Sequence, residues 1–365
     1  MRQTYGHGSI VFESARKKYR AFFVTPAGRR ISRRFETRKE AAAWLNAQVA
    51  AKTGHSFVEP TNMTLGSWLV TWLRDYKIQQ LAPKTIELYT EMATKCTPIA
   101  DIKLQSVTPG MIQSLYTDLL KTLSPSTVAK VHNVLKAAFA KARQIGIIPT
   151  NIMEMTEKPR FVYNHNVQTF SPEEVALIYD TSKKYACGRY YPCILLAFTT
   201  GMRRGELLAL RWEDVNFEAN EISITRNLTQ TRDFGIQIGP TKTKAGRRVI
   251  SVPDGVLSIL DNNDPQDGLI FTSTNHTPIQ PRNFERTWAN IIKRSNIPYR
   301  NFHVIRHTHA TDLLAAGVPI ADVSRRLGHA RISYTLDLYG HALPRTDKEI
   351  AAKVGTLYFS NSPDN

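Results

Sequence analysis

Along the chain the spacing of apolar positions changes twice. Across residues 1–60 apolar and polar residues alternate in the short runs GSIVFE, KKYRAFFV and RRISRRFE, the last two separated by a TPAG turn. A period of two belongs to strands that bury one face. RKEAAAWLNAQVAAK follows, with Thr37 and Glu40 spaced as a capping box. This pattern predicts a small three-stranded sheet backed by one helix, with Phe22, Ile31 and Trp44 in the core.

After GHSFVEPTNM, which reads as a linker, the period becomes helical and each segment carries its own start signal. Thr64 precedes LGSWLVTWL, Pro83 opens PKTIELYTEMATK, Thr108 and Pro109 precede GMIQSLYTDLL, and Ser124 and Pro125 precede STVAKVHNVLKAAFAKARQIG. Four such segments predict a helical bundle. Trp68 and Trp72, four apart, belong to its core rather than to a base-stacking platform. Gly146 and Pro149 close the bundle, and IPTNIMEMTEKPRFVYNHNVQ reads as a connector. In FSPEEVALIYD, Ser171, Pro172 and Glu174 fit the first positions of a helix. EISITRNL, GIQIGP and RRVISVP then predict one small antiparallel sheet, and helices resume from PRNFERTWANIIKRS to LGHARISYTLDLYGH. The expected architecture is multidomain α+β: sheet and helix at 1–60, helical bundle with linker at 61–165, a mostly helical unit at 166–345 and a tail at 346–365.

Charge narrows the function. The 365 residues hold 48 Lys and Arg against 31 Asp and Glu, a net +17, which points to a polyanionic partner. Residues 1–60 carry 12 Lys and Arg against 4 Asp and Glu, so nearly half the excess sits there. Arg16, Lys18, Arg20, Arg29 and Arg33 are expected to make the open face of the sheet positive, a surface suited to a DNA groove. No apolar run is long enough to span a bilayer and the N-terminus has no signal-like core, so membrane and secreted roles are disfavoured. Cys96, Cys187 and Cys193 form no CxxC pair, which suits a reducing cytosol.

Four stretches carry residues that phosphodiester chemistry would use. TTGMRRGELLALRW sets Arg203, Arg204 and Glu206 at a helix start, where a guanidinium fork can hold a phosphate. GPTKTKAGRRVI offers Lys242 and Lys244 on a turn, either of which can protonate a leaving oxygen. FHVIRHTHATDLL places His303, Arg306 and His307 on one helical turn. A zinc site there is disfavoured, because Val304 replaces the expected Glu and Arg306 repels a cation. LGHARISYTLDLYGH adds His329 and Tyr339, whose phenol becomes a candidate nucleophile in a cationic pocket. Tyr334 competes, but Ile332 and Leu336 beside it suggest helical packing.

In this order and spacing, the Arg of TGMRRGE, a Lys on a β-turn, HVIRH, LGH and a Tyr ten residues on resemble the tyrosine recombinases. The basic N-terminal sheet with a helical bundle resembles the phage and conjugative-transposon integrases among them. The resemblance implies Arg203, Lys242, His303, Arg306, His329 and the nucleophile Tyr339 as catalytic residues, with Glu206 in support. Ile305 stands where the family usually has Leu. It further implies a 3′-phosphotyrosyl intermediate, no cofactor, and no metal or ATP. The partners it implies are core and arm attachment sites and self-assembly to a tetramer on DNA; whether a host bending protein or an excisionase is also required is left open by the sequence. Such an enzyme would integrate and excise a prophage or similar element in a bacterial cytoplasm. A type IB topoisomerase shares the chemistry and a DNA-binding regulator could share the fold. The basic arm-like sheet and the full set of catalytic residue types argue against these two in turn.

Overall fold

The computed structural model describes residues 3–5, 8–54, 57–160, 167–261, 268–340, 351–352, 354–356 and 358. The chain divides into two compact units, 1–162 and 163–365.

The first unit opens with an antiparallel sheet of strands β1 (Gln3–Tyr5), β2 (Gly8–Glu13), β3 (Lys18–Val24) and β4 (Arg30–Phe35), in that order. One short strand thus precedes the three expected. Helix α1 (Arg38–Thr53) packs on it, and the Thr37–Glu40 capping box forms as the sequence implies. Ile10, Ala21, Phe23, Ala41 and Leu45 make the core.

Register corrects two expectations about this sheet. Ala21 and Phe23 face the helix, so Phe22, one residue out of phase, lies on the open face and not in the core. There it carries the guanidinium of Arg30 at 4.0 Å and that of Arg20 at 4.9 Å from its ring centre. Arg33 pairs with Ala21 and so belongs to the helix side, over the Phe35 ring, whereas Lys18, Arg20, Arg30 and Arg34 share the open side. Arg16 ends a one-turn 3₁₀ helix, and Arg29 lies in the turn before β4. The segment read as a linker is also tied down. Phe57 packs on Phe23 with its ring tilted, Glu59 accepts the N–H of Ala27, and the Gln105 amide donates to the carbonyls of Glu59 and Ile147.

The bundle comprises α2 (Leu65–Tyr76), α3 (Pro83–Thr94), α4 (Pro109–Leu120) and α5 (Pro125–Gln144), capped by Thr64, Ala82, Thr108 and Ser124. Trp68 and Trp72 are core residues, and the Trp68 indole donates to the carbonyl of Ala138 at 3.1 Å. The start of the expected connector belongs to this core, since Ile148 and Met153 are buried in it.

The second unit begins with α6 (Pro172–Lys184), α7 (Tyr191–Thr200) and the one-turn α8 (Arg204–Leu207). The expected single sheet is two. Strands β5 (Val215–Asn216), β6 (Glu221–Ile224) and β9 (Arg248–Ser251) form one, and β7 (Arg226–Thr231) with β8 (Gly235–Pro240) forms a separate hairpin. The run EISITRNL breaks at Thr225 because buried Asp214 holds both the Thr225 hydroxyl and the Arg226 guanidinium. Helices α9 (Ser258–Asp261), α10 (Pro281–Arg294), α11 (Val304–Ala315), α12 (Ile320–Leu327) and α13 (Ile332–Tyr339) complete the unit. Its core gathers Phe170, Trp288, Phe284 and Phe302 against α7 and β6. The expected tail at 346–365, with its apolar VGTLYF run, lies largely outside the described residues.

A candidate phosphodiester site

Five elements of the second unit converge on a cluster of guanidiniums. Gly201 ends α7 with φ 63°, and a Cβ there would meet the His309 ring at 2.6 Å, so glycine is required for the chain to turn. Two residues on, Arg203 caps α8. Glu206 accepts the Arg203 backbone N–H at 3.0 Å and its guanidinium at 2.8 Å. Arg248 on β9 reaches the same carboxylate with both terminal nitrogens, at 3.0 and 3.3 Å, and its Nε donates to the Arg326 carbonyl at 2.6 Å. Buried Glu206 is therefore clamped between two cations. Burial pushes its carboxyl up, but the charges and hydrogen bonds of Arg248 and Arg203 outweigh this and hold it below the usual range.

Arg306, in the first turn of α11, is 2% exposed. It donates to the carbonyls of Gly201 at 2.9 Å and Leu327 at 2.6 Å. These carbonyls close α7 and α12, so two negative helix ends hold one cation. Burial and the like charge of Arg203 press its guanidinium down to about 9, still protonated at neutral pH. Arg326 donates to the carbonyls of Thr199 and Ser251 and to His309. Two guanidiniums, Arg203 and Arg248, share the one carboxylate of Glu206 while Arg306 and Arg326 bond backbone carbonyls, so the cluster carries a positive surplus that suits a phosphate.

The histidines respond to this field. His329 follows Gly328, and its Nδ1 shares a hydrogen bond of 2.7 Å with Thr335. Burial, then Arg306, Arg203 and Arg248, push His329 down to about 3. His303, at the start of α11, is lowered by crowding from its surroundings and by His307, Arg306, Arg203 and Arg204, although its outer edge is open to solvent. Both are neutral at pH 7. Tyr339, the last residue of α13, is 1% exposed, and its hydroxyl lies 2.6 Å from His307 Nδ1. Burial pushes this phenol up to about 12, while Arg306 and Arg203 oppose the rise. The phenol therefore sits within electrostatic reach of both guanidiniums.

The remaining candidates lie outside this cluster. Lys242 and Lys244 are exposed on the connection from β8 to β9, and among the described residues neither side chain has a partner. The packing expected for Tyr334 is absent: Ile332, Tyr334 and Leu336 are each about half exposed, because α13 buries Thr335 and Tyr339 instead. The Tyr334 ring stands edge-on to His329 at 4.9 Å. Arg204 pairs with Glu285 rather than joining the cluster.

Sequence reasoning missed Arg248 and the bond from His307 to Tyr339. For Arg248 the signal was the second Arg of GRRVI, on the buried parity of β9. For His307 it was the third position of a His-rich turn weighed only as a metal ligand. Among the described residues no group of three His, Cys, Asp or Glu side chains is placed to hold a metal ion.

Known proteins resemble this chain in sequence and fold. The profile of the Phage integrase family matches residues 168–345. A XerC-like tyrosine recombinase of Caldanaerobacter subterraneus subsp. tengcongensis is 29% identical over 357 residues, 88% of this chain and 90% of its own. The Tn1549 transposon integrase in complex with a circular intermediate DNA superposes with a TM-score of 0.70 at 20% identity, over 81% of this chain and 99% of that one. A lambda integrase tetramer bound to a Holliday junction matches over 93% of this chain and 97% of that one, with a TM-score of 0.59 at 18% identity. Residues 168–345 form a phage integrase family domain, and the chain is a tyrosine recombinase, a site-specific recombinase of the phage or transposon type.

Proposed function

We propose that this recombinase cuts and rejoins DNA through a 3′-phosphotyrosyl intermediate at Tyr339. The observation that carries the reading is the buried phenol at the end of α13 bonded to His307, the residue next to Arg306, whose own guanidinium is held by the Gly201 and Leu327 carbonyls. Arg203 and Arg306 bind the non-bridging oxygens of the scissile phosphate and offset the charge that grows in the pentacoordinate transition state. Tyr339 Oη bonds to phosphorus as the bond to the 5′-oxygen breaks, and Lys242 supplies the proton to that oxygen from its open loop. His303 and His329, both neutral, hydrogen-bond the phosphate. Glu206 keeps Arg203 in place. Because the tyrosyl linkage retains the phosphodiester energy, a 5′-hydroxyl from a partner strand reseals it.

The open face of the N-terminal sheet, with Lys18, Arg20, Arg30 and Arg34, binds arm-type DNA, and the bundle with the second unit engages the core site. Exchange between two duplexes requires four copies, as in the lambda integrase tetramer on its Holliday junction. The protein acts on DNA in the bacterial cytoplasm. Among the described residues no helix is long and apolar enough to cross a membrane.

A nicked suicide substrate tests the reading. The full chain should form a covalent adduct and a strand-exchanged product, and Tyr339→Phe should form neither while binding DNA unchanged. An adduct formed by Tyr339→Phe would move the nucleophile elsewhere.

A further inference from the structure

On the reading that Tyr339 is the nucleophile, we propose that His307, and not His303 or His329, is the base that takes the phenol's proton.

Geometry carries the assignment. A general base must lie within hydrogen-bond reach of the proton it removes, about 2.6–3.2 Å between heavy atoms. His307 Nδ1 lies 2.6 Å from Tyr339 Oη, and among the described residues it is that hydroxyl's hydrogen-bond partner. The other two imidazoles do not bond the phenol. His329 gives its Nδ1 to Thr335 at 2.7 Å and stands edge-on to Tyr334. His303 meets His307 edge-on, at 4.9 Å between ring centres, and does not bond the phenol. His307 follows Arg306 directly on α11, so one turn of one helix carries a phosphate ligand and the partner of the nucleophile.

Charge supports the same role. Burial, then Arg306, lowers the His307 imidazole, so it is neutral and able to accept. The phenol, pushed up to about 12, is un-ionised at neutral pH and needs an acceptor. The charged and titratable groups facing His307 are Arg306 and His303 on its own helix and Tyr339 on α13. A scissile phosphate entering between the guanidiniums would offset the charge of Arg306 and make His307 a stronger base. The phenol would then be activated only with DNA seated.

The step balances. The phenol O–H breaks and its proton moves to Nδ1, Oη bonds to phosphorus, and the P–O5′ bond breaks with its electron pair leaving on O5′, which is protonated by Lys242. Resealing returns the His307 proton to the phenol.

The experiment measures single-turnover adduct formation on the nicked suicide substrate at saturating DNA. His307→Ala should slow it by roughly 10²–10⁴-fold with DNA affinity unchanged. His307→Gln, close in volume and able to bond the hydroxyl but not to take its proton, should be comparably slow. In both variants the rate should climb with pH between about 7 and 8, where the wild type is flat and Arg306 stays protonated, as hydroxide replaces the lost base. Should His307→Ala lose DNA binding, His307→Gln carries the test. A fast His307→Gln, or a fast His307→Ala, with Tyr339→Phe inert overturns the role of His307 and leaves the nucleophile intact. An adduct in Tyr339→Phe overturns the underlying reading instead.

Discussion

At the scale of single residues the site rests on one buried carboxylate. Glu206 neutralises Arg248 and part of the charge of Arg203, and these bonds join β9 to the start of α8. Glu206→Gln leaves Arg248 buried without a counter-charge, and breaking such a pair costs about 3–5 kcal/mol. The sign of its pH dependence follows from a folded carboxyl held below the usual 4.5. The stabilisation is complete above that value and is lost as pH falls through the lower folded one. Calorimetric melting should show Glu206→Gln well below the wild type at pH 7, with the gap closing on acidification. A gap that stayed constant down to about pH 3 would mean that the pair does not form. Gly328 sets a second constraint. With φ 68°, a Cβ there would meet the Ala245 carbonyl at 2.8 Å, on the loop that carries Lys242. Gly328→Ala should therefore slow cleavage more than it weakens DNA binding, measured as the rate of adduct formation at saturating DNA.

Between residues and the whole lie the elements, and here the sequence was legible wherever the signal was local. Thr37 with Glu40, Thr64 and Ser171 with Glu174 announce their helices because a cap is closed within three residues. The break of β6 from β7 was not legible, because it depends on Asp214 reaching Thr225 from a distant turn. Nor was the parity of β3, where adjacent Phe22 and Phe23 both fit a core and the packing of Ala21 against α1 decides. The order of the candidate catalytic residues could be read from the chain. The partners that hold them, Arg248 and His307, lie 42 and 32 residues away from the groups they bond. The corrected parity is itself testable. Phe22→Ala removes the ring that orients Arg20 and Arg30 on the open face, and Arg33→Ala changes only the helix side. Binding to an arm-site duplex should fall by about 0.5–1 kcal/mol for Phe22→Ala, as for an exposed cation–π contact, and little for Arg33→Ala. The reverse order would return Arg33 to the DNA-facing surface.

For the molecule as a whole the governing quantity is its net charge of +17. A protein that neutralises Z phosphates releases their counterions, so log K falls with log salt at a slope of about −0.9 Z. Residues 1–57 carry 12 Lys and Arg against 3 Asp and Glu, more than half the surplus. Residue 57 is the physical boundary for a truncation, because Phe57 packs on the core of the sheet while the next anchor, Glu59, is gripped by Gln105 of the bundle. The bundle core around Trp68, Trp72, Tyr116 and Phe139 draws no residue from the sheet. A chain lacking residues 1–57 should thus bind arm DNA poorly and show a markedly shallower salt slope on long duplexes, yet form the Tyr339 adduct on a core-site suicide substrate. Fluorescence anisotropy across a salt series, run beside adduct formation on both chains, separates the two effects. If truncation abolished the adduct while the bundle still melted cooperatively, the sheet would be part of the cutting apparatus and its charge would be serving the core site.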